Sequence, residues 1–290
     1  MRREFLIAAT LLFAPLSARA EVLHTERSLY RNIVVYEDDA LRCMRFGRTT
    51  TTRQSCVSRT QPEKLVFEYA KMTMGAFYMN PDPKRILIIG LGGGTLPTAF
   101  QRMFPNAKMD TVEIDPAIVR MAEAYFDFKP APGTRVVTED GRVFVKRMLK
   151  EGTKYDLVIL DAFDHKYIPE HLLTREFLQQ VKGVMSDKGV LAANTFSSSA
   201  LFESETATYH NVFGDFYALT PGNRVILIRQ GGLADAEELG RNAALMEEKF
   251  KSMGIGSEQL LPMFIKDQTT NSRAPILTDQ YSPSNLLNAE

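Results

Sequence analysis

The sequence predicts an α/β protein built on a doubly wound sheet, with helices on both faces of parallel strands and a small β element ahead of them. Two observations predict it. From Arg85 onward, short apolar runs bounded by turn residues alternate with helical stretches, the pattern that builds a parallel sheet. And the stretch from Arg85 to Asp115, RILIIGLGGGTLPTAFQRMFPNAKMDTVEID, reads as strand, glycine turn, helix, strand, acid. Its apolar run Ile86 to Ile89 is too short for anything but a buried strand. Gly90, Gly92, Gly93 and Gly94 follow; glycines turn the chain tightly and leave no Cβ between backbone and ligand. A helix over Thr95 to Met103 leads to a second strand, Met109 to Val112, which ends on Glu113 and Asp115. Glu113 stands 23 residues after Gly90, near the roughly 20 of a nucleotide-binding βαβ unit, where an acid accepts hydrogen bonds from ribose hydroxyls. The alternative is a glycine-rich loop that binds nothing.

The remaining elements follow in order. The first residues carry Arg2 and Arg3, an apolar run from Phe5 to Leu16, and Ala18-Arg19-Ala20, so residues 1–20 read as a secretory signal cut after Ala20, which predicts a periplasmic or secreted protein. The alternative is an uncleaved membrane anchor, for which the run is short. Residues 21–62 form the β element, with strands over Asn32 to Glu37, Leu41 to Phe46 and Gln54 to Ser58. A hairpin centred between Thr49 and Thr50 puts Cys43 opposite Cys56, at a Cβ separation a disulfide tolerates; two buried free thiols are the alternative. Residues 63–266 form the main domain. It opens on a buried helix from Glu63 to Tyr78, whose Met72 and Met74, with Met79 just after, belong to the core.

After the glycine unit come a helix from Pro116 to Tyr125, a strand from Arg135 to Val137 and a helix from Asp140-Gly141 to Lys150. Then follow a buried strand from Tyr155 to Leu160, a helix from His171 to Val184, a turn at Ser186 to Gly189 and a strand from Val190 to Thr195. A helix from Ser199 to Val212, strands from Phe216 to Leu219 and Arg224 to Arg229, and a helix from Ala234 to Met253 complete the domain. Residues 267–290 read as an irregular polar tail.

Composition narrows the partners. Apolar residues make up 44%, which suits a globular core, and 35 basic side chains balance 35 acidic ones. Without residues 1–20 the chain holds 32 basic and 34 acidic side chains, a net of −2, so nucleic acid is excluded as a partner class and no membrane span remains. His24, His165, His171 and His210 are scattered, so no metal-ligand spacing is present. The sequence has no G-x-S-x-G elbow and no Walker A loop.

Ligands of such sheets bind at the carboxyl ends of the strands, which here carry Gly90 to Gly94, Glu113, Asp115, Asp140, Asp161, Asp164 and Asn194. Asp140, before Gly141, suits an exocyclic amine such as adenine N6, and equally a helix N-cap. Asp161 and Asp164, in LDAFDHKYIP, attract a cationic amine and supply a base that removes its proton. Their alternative is a helix cap and a solvated loop acid.

Taken together, the glycine loop, V-E-I-D, E-D-G and Y-D-L-V-I-L-D-A-F-D resemble the spermidine synthase (polyamine aminopropyltransferase) family, nearest its bacterial spermidine-synthase-like branch. So do Ile168-Pro169-Glu170-His171-Leu172-Leu173-Thr174 and Leu277-Thr278-Asp279-Gln280-Tyr281-Ser282-Pro283. The resemblance spans roughly residues 30–285. It implies a Rossmann-like fold of the methyltransferase type and transfer of an aminopropyl group from decarboxylated S-adenosylmethionine to a polyamine or related amine. That donor is a co-substrate, no cofactor stays bound, and the implied assembly is a homodimer or a tetramer. Carried over, Gly90, Gly92, Gly93, Glu113, Asp115, Asp140 and Gly141 hold the nucleoside. Asp161 is the base, and Asp164, Gln54 and Tyr69 bind substrate. The family's G-G-G-D-G reads Gly90-Leu91-Gly92-Gly93-Gly94 here, so Gly93 replaces the acid that contacts the aminopropyl amine. Its usual Tyr-His reads Glu68-Tyr69, and its D-x-x-D-P-x-G-P loop has become Asp161 to Pro169, with longer spacing. Two other readings stay open: a small-molecule methyltransferase using S-adenosylmethionine, and an exported, non-catalytic protein that binds a nucleoside, a polyamine or a protein partner.

Overall fold

The computed structural model describes residues 20–47, 52–162, 168–268, 271 and 273–283. The proposed signal segment before Ala20, the centre of the Thr49–Thr50 hairpin and Asp164 lie outside the described residues.

Four strands form an antiparallel sheet in the order β1-β2-β3-β4: β1 (Glu21–Arg27), β2 (Asn32–Glu37), β3 (Leu41–Phe46) and β4 (Arg53–Ser58). β1 was not read as a separate strand; only its inner residues are half-buried, so its apolar signal is weak. β3 and β4 pair with Cys43 facing Cys56, and their sulfurs are bonded at 2.03 Å. The sheet packs through Ile33, Val35 and Met44 onto Ile118, Met121 and Phe126 of the main domain.

The helix expected over Glu63 to Tyr78 is two short ones, α1 (Glu68–Thr73) and α2 (Ala76–Met79). Residues before α1 leave the helical path because the Leu65 N–H donates to the Met253 carbonyl, 3.1 Å away, and not along a helix. Between α1 and α2 the backbone stays right-handed through Met74 and Gly75 but tightens, the Gly75 N–H donating to the Met72 carbonyl at 2.9 Å and the Phe77 N–H to the Met74 carbonyl at 3.0 Å.

The central sheet has seven strands in the order β10-β11-β9-β8-β5-β6-β7. Its strands are β5 (Arg85–Ile89), β6 (Lys108–Glu113), β7 (Thr134–Thr138), β8 (Tyr155–Leu160), β9 (Met185–Phe196), β10 (Tyr217–Leu219) and β11 (Asn223–Arg229). β5 through β9 are parallel; β11 runs antiparallel to both β9 and β10. The helices between them are α3 (Thr95–Met103), α4 (Pro116–Tyr125), α5 (Gly141–Lys150), α6 (Arg175–Val184) and α7 (Phe202–Phe213), and α8 (Ala236–Lys251) and α9 (Ser257–Leu260) follow the last strand. Successive residues of β5 face opposite sides, so Ile86 and Ile88 meet one helical layer and Leu87 and Ile89 the other. This is the doubly wound, methyltransferase-like arrangement.

Two further expectations change. The helix expected from His171 begins only at Arg175, capped by Thr174, and Glu170–Leu172 is a single 3-10 turn. The turn expected at Ser186 to Gly189 lies inside β9, as an irregularity in which Met185 and Val190 face Tyr155 and Leu157. The tail is less polar in context than in sequence: Leu277 is fully buried against Ile168 and Leu173.

Candidate active site

The chain leaves β5 for β6 and β7 on one side, then returns to β8 and β9 on the other. The strand order therefore reverses between β5 and β8, which opens a crevice at their carboxyl ends. A cavity of about 520 Å³ fills it. Gly90 sits at its floor with φ of 103°, and a Cβ there would lie 2.3 Å from the Asp161 carbonyl oxygen. Glycine is what lets β5 and β8 end side by side, with the Asp161 N–H donating to the Ile89 carbonyl at 2.8 Å.

Asp161 lines the cavity together with Tyr69 and Asn194. Its Oδ1 accepts from Asn194 Nδ2 at 2.9 Å, and its Oδ2 from the Tyr69 hydroxyl at 3.3 Å. Asn194 in turn accepts from Asn223 Nδ2 at 2.8 Å. Burial pushes the Asp161 carboxyl up to about 6; the bonds from Asn194 and Tyr69 oppose that rise, and the charge of Glu113 adds to it. The Tyr69 phenol is pushed well above its ordinary value by burial and by Asp161, so it remains a donor.

Glu113 ends β6 in the cavity wall. Its Oε1 accepts from the Asp115 N–H at 3.0 Å and its Oε2 from the Leu91 N–H at 3.1 Å, which fixes the carboxylate beside the glycine turn. Burial raises its carboxyl, while those two amides and the charge of Arg31 pull it down. Asp140 and Gly141 line the cavity after β7. Asp140 does cap α5, with Oδ1 accepting from the Arg142 and Val143 N–H groups at 2.9 and 3.0 Å. Its Oδ2 meets His171 Nε2 at 2.7 Å, so capping leaves an oxygen toward the site. Gln54 and Gly92 line the same cavity from β4 and the glycine turn.

Two assigned residues stand elsewhere. Asp115 is buried outside the cavity lining as the N-cap of α4, with Oδ1 accepting from the Ala117 N–H at 2.9 Å and Oδ2 from the Ser28 hydroxyl at 2.6 Å. A strand that runs straight into a helix turns its last acid back to cap it. Gly93 also faces away from the cavity lining: its N–H donates to Ser55 Oγ at 3.0 Å, and a Cβ there would come within 2.6 Å of that oxygen and 3.0 Å of Phe126. Its glycine is required by packing.

Sequence reasoning did not assign roles to His171, Asn223 or Arg31, all in the cavity wall. His171 lay inside a motif already singled out, and Asn194 at a strand end; Asn223 and Arg31 carried no local signal. Among the described residues, no group of three or more His, Cys, Asp or Glu is placed to hold a metal ion, and no helix is long and apolar enough to cross a membrane.

The chain as a whole has relatives. The model of the spermine/spermidine synthase domain matches residues 66–220. The chain belongs to the spermine/spermidine synthase family. A polyamine aminopropyltransferase of Vibrio vulnificus is 42% identical over 289 residues, covering 98% of this chain and 97% of that protein. Another, of Chromobacterium violaceum, is 32% identical, covering 75% of this chain and 84% of its own. A probable spermidine synthase from Corynebacterium glutamicum shares the fold with a TM-score of 0.67 at 20% identity, covering 88% and 96% of the two chains. Human methyltransferase-like protein 13, solved with SAH, gives 0.58 at 25% identity over 64% of this chain and 93% of its own. The family is one of enzymes, and the fold of this chain is shared with the solved spermidine synthase structure.

Proposed function

We propose that this protein transfers an aminopropyl group from decarboxylated S-adenosylmethionine to an amine acceptor and releases methylthioadenosine. The observation that carries this reading is Asp161: a carboxylate beside the glycine turn, held by Tyr69 and Asn194, with its acidity shifted to about 6. At neutral pH it is ionised yet basic enough to take a proton, which is what a general base requires.

The donor fits the cavity wall. Glu113 accepts from the ribose hydroxyls and Asp140 from the adenine amine. Gln54 and Tyr69 contact the reacting end. Asp161 draws in the acceptor ammonium and removes one proton, with Asp164 assigned to its positioning by family resemblance. The free amine then attacks the sulfonium-bound methylene carbon in line. A C–N bond forms, the C–S bond breaks, and its electron pair stays on sulfur as a neutral thioether. No further cofactor enters the balance. Catalysis rests on alignment and on removing water from the amine. A homodimer is proposed on family grounds alone.

Methyl transfer from S-adenosylmethionine is the second reading, supported by the likeness to human methyltransferase-like protein 13, solved with SAH. Incubating the protein with each donor and a panel of diamines, then weighing the products, separates the two. Aminopropylated amine with methylthioadenosine supports the first; methylated product with S-adenosylhomocysteine overturns it.

We also infer export, with residues 1–20 removed. The Cys43–Cys56 bond supports this, since disulfides persist in oxidising compartments. Cell fractionation and the intact mass of the native protein test it; a cytoplasmic protein retaining Met1 to Ala20 would sink it.

A further inference from the structure

Asp161 is held by a side chain that itself needs holding. Asn194 lies buried near the end of β9, and Asn223 opens β11, its antiparallel neighbour. Asn194 pairs with Val225, so Asn223 stands diagonally across the ladder from it and on the same face. Both residues line the cavity. Their amides form a chain that ends on the carboxylate: Asn223 Nδ2 donates to Asn194 Oδ1 at 2.8 Å, and Asn194 Nδ2 donates to Asp161 Oδ1 at 2.9 Å. On the other face of the ladder, Arg224 fixes the start of β11. It is fully buried, and it donates to the Thr195 hydroxyl at 2.9 Å and to Thr206 and Glu205 of α7.

The direction of this chain is dictated from its carboxylate end. An ionised carboxylate only accepts, so the part of the Asn194 amide that faces it must be the nitrogen. Asn194 then turns its oxygen the other way, where Asn223 must donate. The two ends of an asparagine amide have nearly the same shape, so packing alone does not distinguish them. A half-turn about the last side-chain bond of Asn194 would set oxygen against oxygen at Asp161. Asn223 opposes that half-turn, because it would bring the Asn194 nitrogen, a second donor, against Asn223 Nδ2.

We propose that Asn223 is a positioning residue for the base: it holds the Asn194 amide with its nitrogen toward Asp161 and through it fixes the carboxylate. This rests on the reading of Asp161 as the base. The bond from Asn194 opposes the rise that burial imposes on the Asp161 carboxyl, which stands at about 6. Without Asn223 the Asn194 amide is free to turn, that opposition weakens, and the carboxyl rises further. Tyr69 from α1 and Glu113 from β6 are the other titratable groups that act on Asp161. Arg31, Arg53, Glu139, Asp140 and His171 line the cavity beyond them. All of these stay in every variant below, so a shift belongs to the amide chain.

The test compares wild type with Asn223→Ala, Asn223→Ser, Asn194→Ala and the double alanine variant, following transfer to the amine acceptor from about pH 5 to about pH 9. Asn223→Ala is expected to move the acid limb of kcat/KM up by about one pH unit, the scale of one hydrogen bond to a charged group. The loss of rate is then several-fold near the wild-type limb and fades in alkali, whereas a merely structural lesion lowers the rate equally at every pH. Asn223→Ser keeps a donor and is expected to fall between wild type and alanine; it decides the matter if the alanine variant fails to fold. Adding Asn223→Ala to Asn194→Ala is expected to move the limb no further, because Asn223 acts only through Asn194. A limb unmoved in Asn223→Ala, or moved again by the same amount in the Asn194→Ala background, overturns the proposal. The Asp161 carboxyl is also titrated directly, by carbon NMR of aspartate-labelled protein, with its resonance identified by its absence from Asp161→Asn. If wild type transfers nothing to any amine, the reading of Asp161 as a base falls, and the direct titration still judges the amide chain. A midpoint raised in Asn223→Ala supports it, and an unchanged midpoint overturns it.

Discussion

Nε2 of His171 stands 2.7 Å from Oδ2 of Asp140, the oxygen that the first turn of α5 leaves uncapped. The carboxylate is therefore fixed on both oxygens before any ligand arrives, one by backbone and one by a side chain from the segment following β8. An adenine amine needs a lone pair of that second oxygen in a set direction. His171→Ala is expected to weaken methylthioadenosine binding several-fold, by roughly 0.5–1.5 kcal/mol, with the melting temperature little changed. Asp140→Ala is expected to lose the same affinity and, in addition, about 1 kcal/mol of stability from the missing cap. Calorimetry and thermal denaturation of the two variants separate these effects.

Asp161 sets a pH limit on turnover. Its carboxyl sits at about 6, raised first by burial. A base must be ionised, so kcat/KM is expected to fall as pH drops through about 6, by ten-fold per unit below it. Asp161→Asn is expected to remove this limb along with about 10²–10⁴-fold of the rate, while leaving methylthioadenosine affinity close to wild type. Unchanged turnover in that variant would remove Asp161 from the mechanism.

The same shift predicts a stability effect of opposite sense. Because the folded carboxyl is raised above its unfolded value, the fold favours the neutral acid. The penalty is absent below the unfolded value, near pH 4, and grows as pH rises to 6, where the native carboxyl ionises. At pH 7 Asp161→Asn is expected to be more stable than wild type by on the order of 1–3 kcal/mol, and at pH 4 to lose that advantage. Denaturant melts at the two pH values measure this.

The tail is locked to the main domain through charge. Arg142 donates to both oxygens of Asp279 at 2.7 Å, Thr174 donates to Oδ1 at 2.8 Å, and the Arg142 Nη1 also reaches the His171 carbonyl at 3.3 Å. Asp279→Ala leaves a largely buried guanidinium without its carboxylate. The expected cost is about 1–3 kcal/mol, with nucleoside affinity falling too, because the His171 backbone loses its brace. Asp279→Asn, which keeps an acceptor oxygen, is expected to lie between the two.

Cys43 and Cys56 face one another across β3 and β4, 13 residues apart. A bond closing so short a loop is worth roughly 2–3 kcal/mol. Alkylation of the native protein is expected to add no label without reductant and two labels after reduction. Both cysteines labelling without reduction would show the thiols to be free.

Much of this site was legible because its residues end buried strands. A run such as Tyr155 to Leu160 can only be a strand between two helical layers, and the first polar residue after it must emerge at the sheet edge. That logic located Glu113, Asp140 and Asp161. It could not separate Glu113 from Asp115, two positions on: both are acids at the end of β6, and only the start of α4 turns the second one away to cap a helix. Nor could it judge Gly93, whose glycine answers to Ser55 and Phe126 from other elements. The helix expected over Glu63 to Tyr78 failed for the same reason. Its local pattern is helical, but the bond from Leu65 to Met253 holds the residues before Glu68 off the helical path.

The sequence by itself determined the layered sheet, the glycine turn, the facing cysteines and the strand-end acids, because periodicity, backbone freedom and hairpin register are properties of neighbours along the chain. Tertiary structure alone decided which partners those acids have. Tyr69 reaches Asp161 across 92 residues and Asn194 reaches it across 33. Such contacts are made by the packing of distant elements, and spacing along the chain carries no record of them.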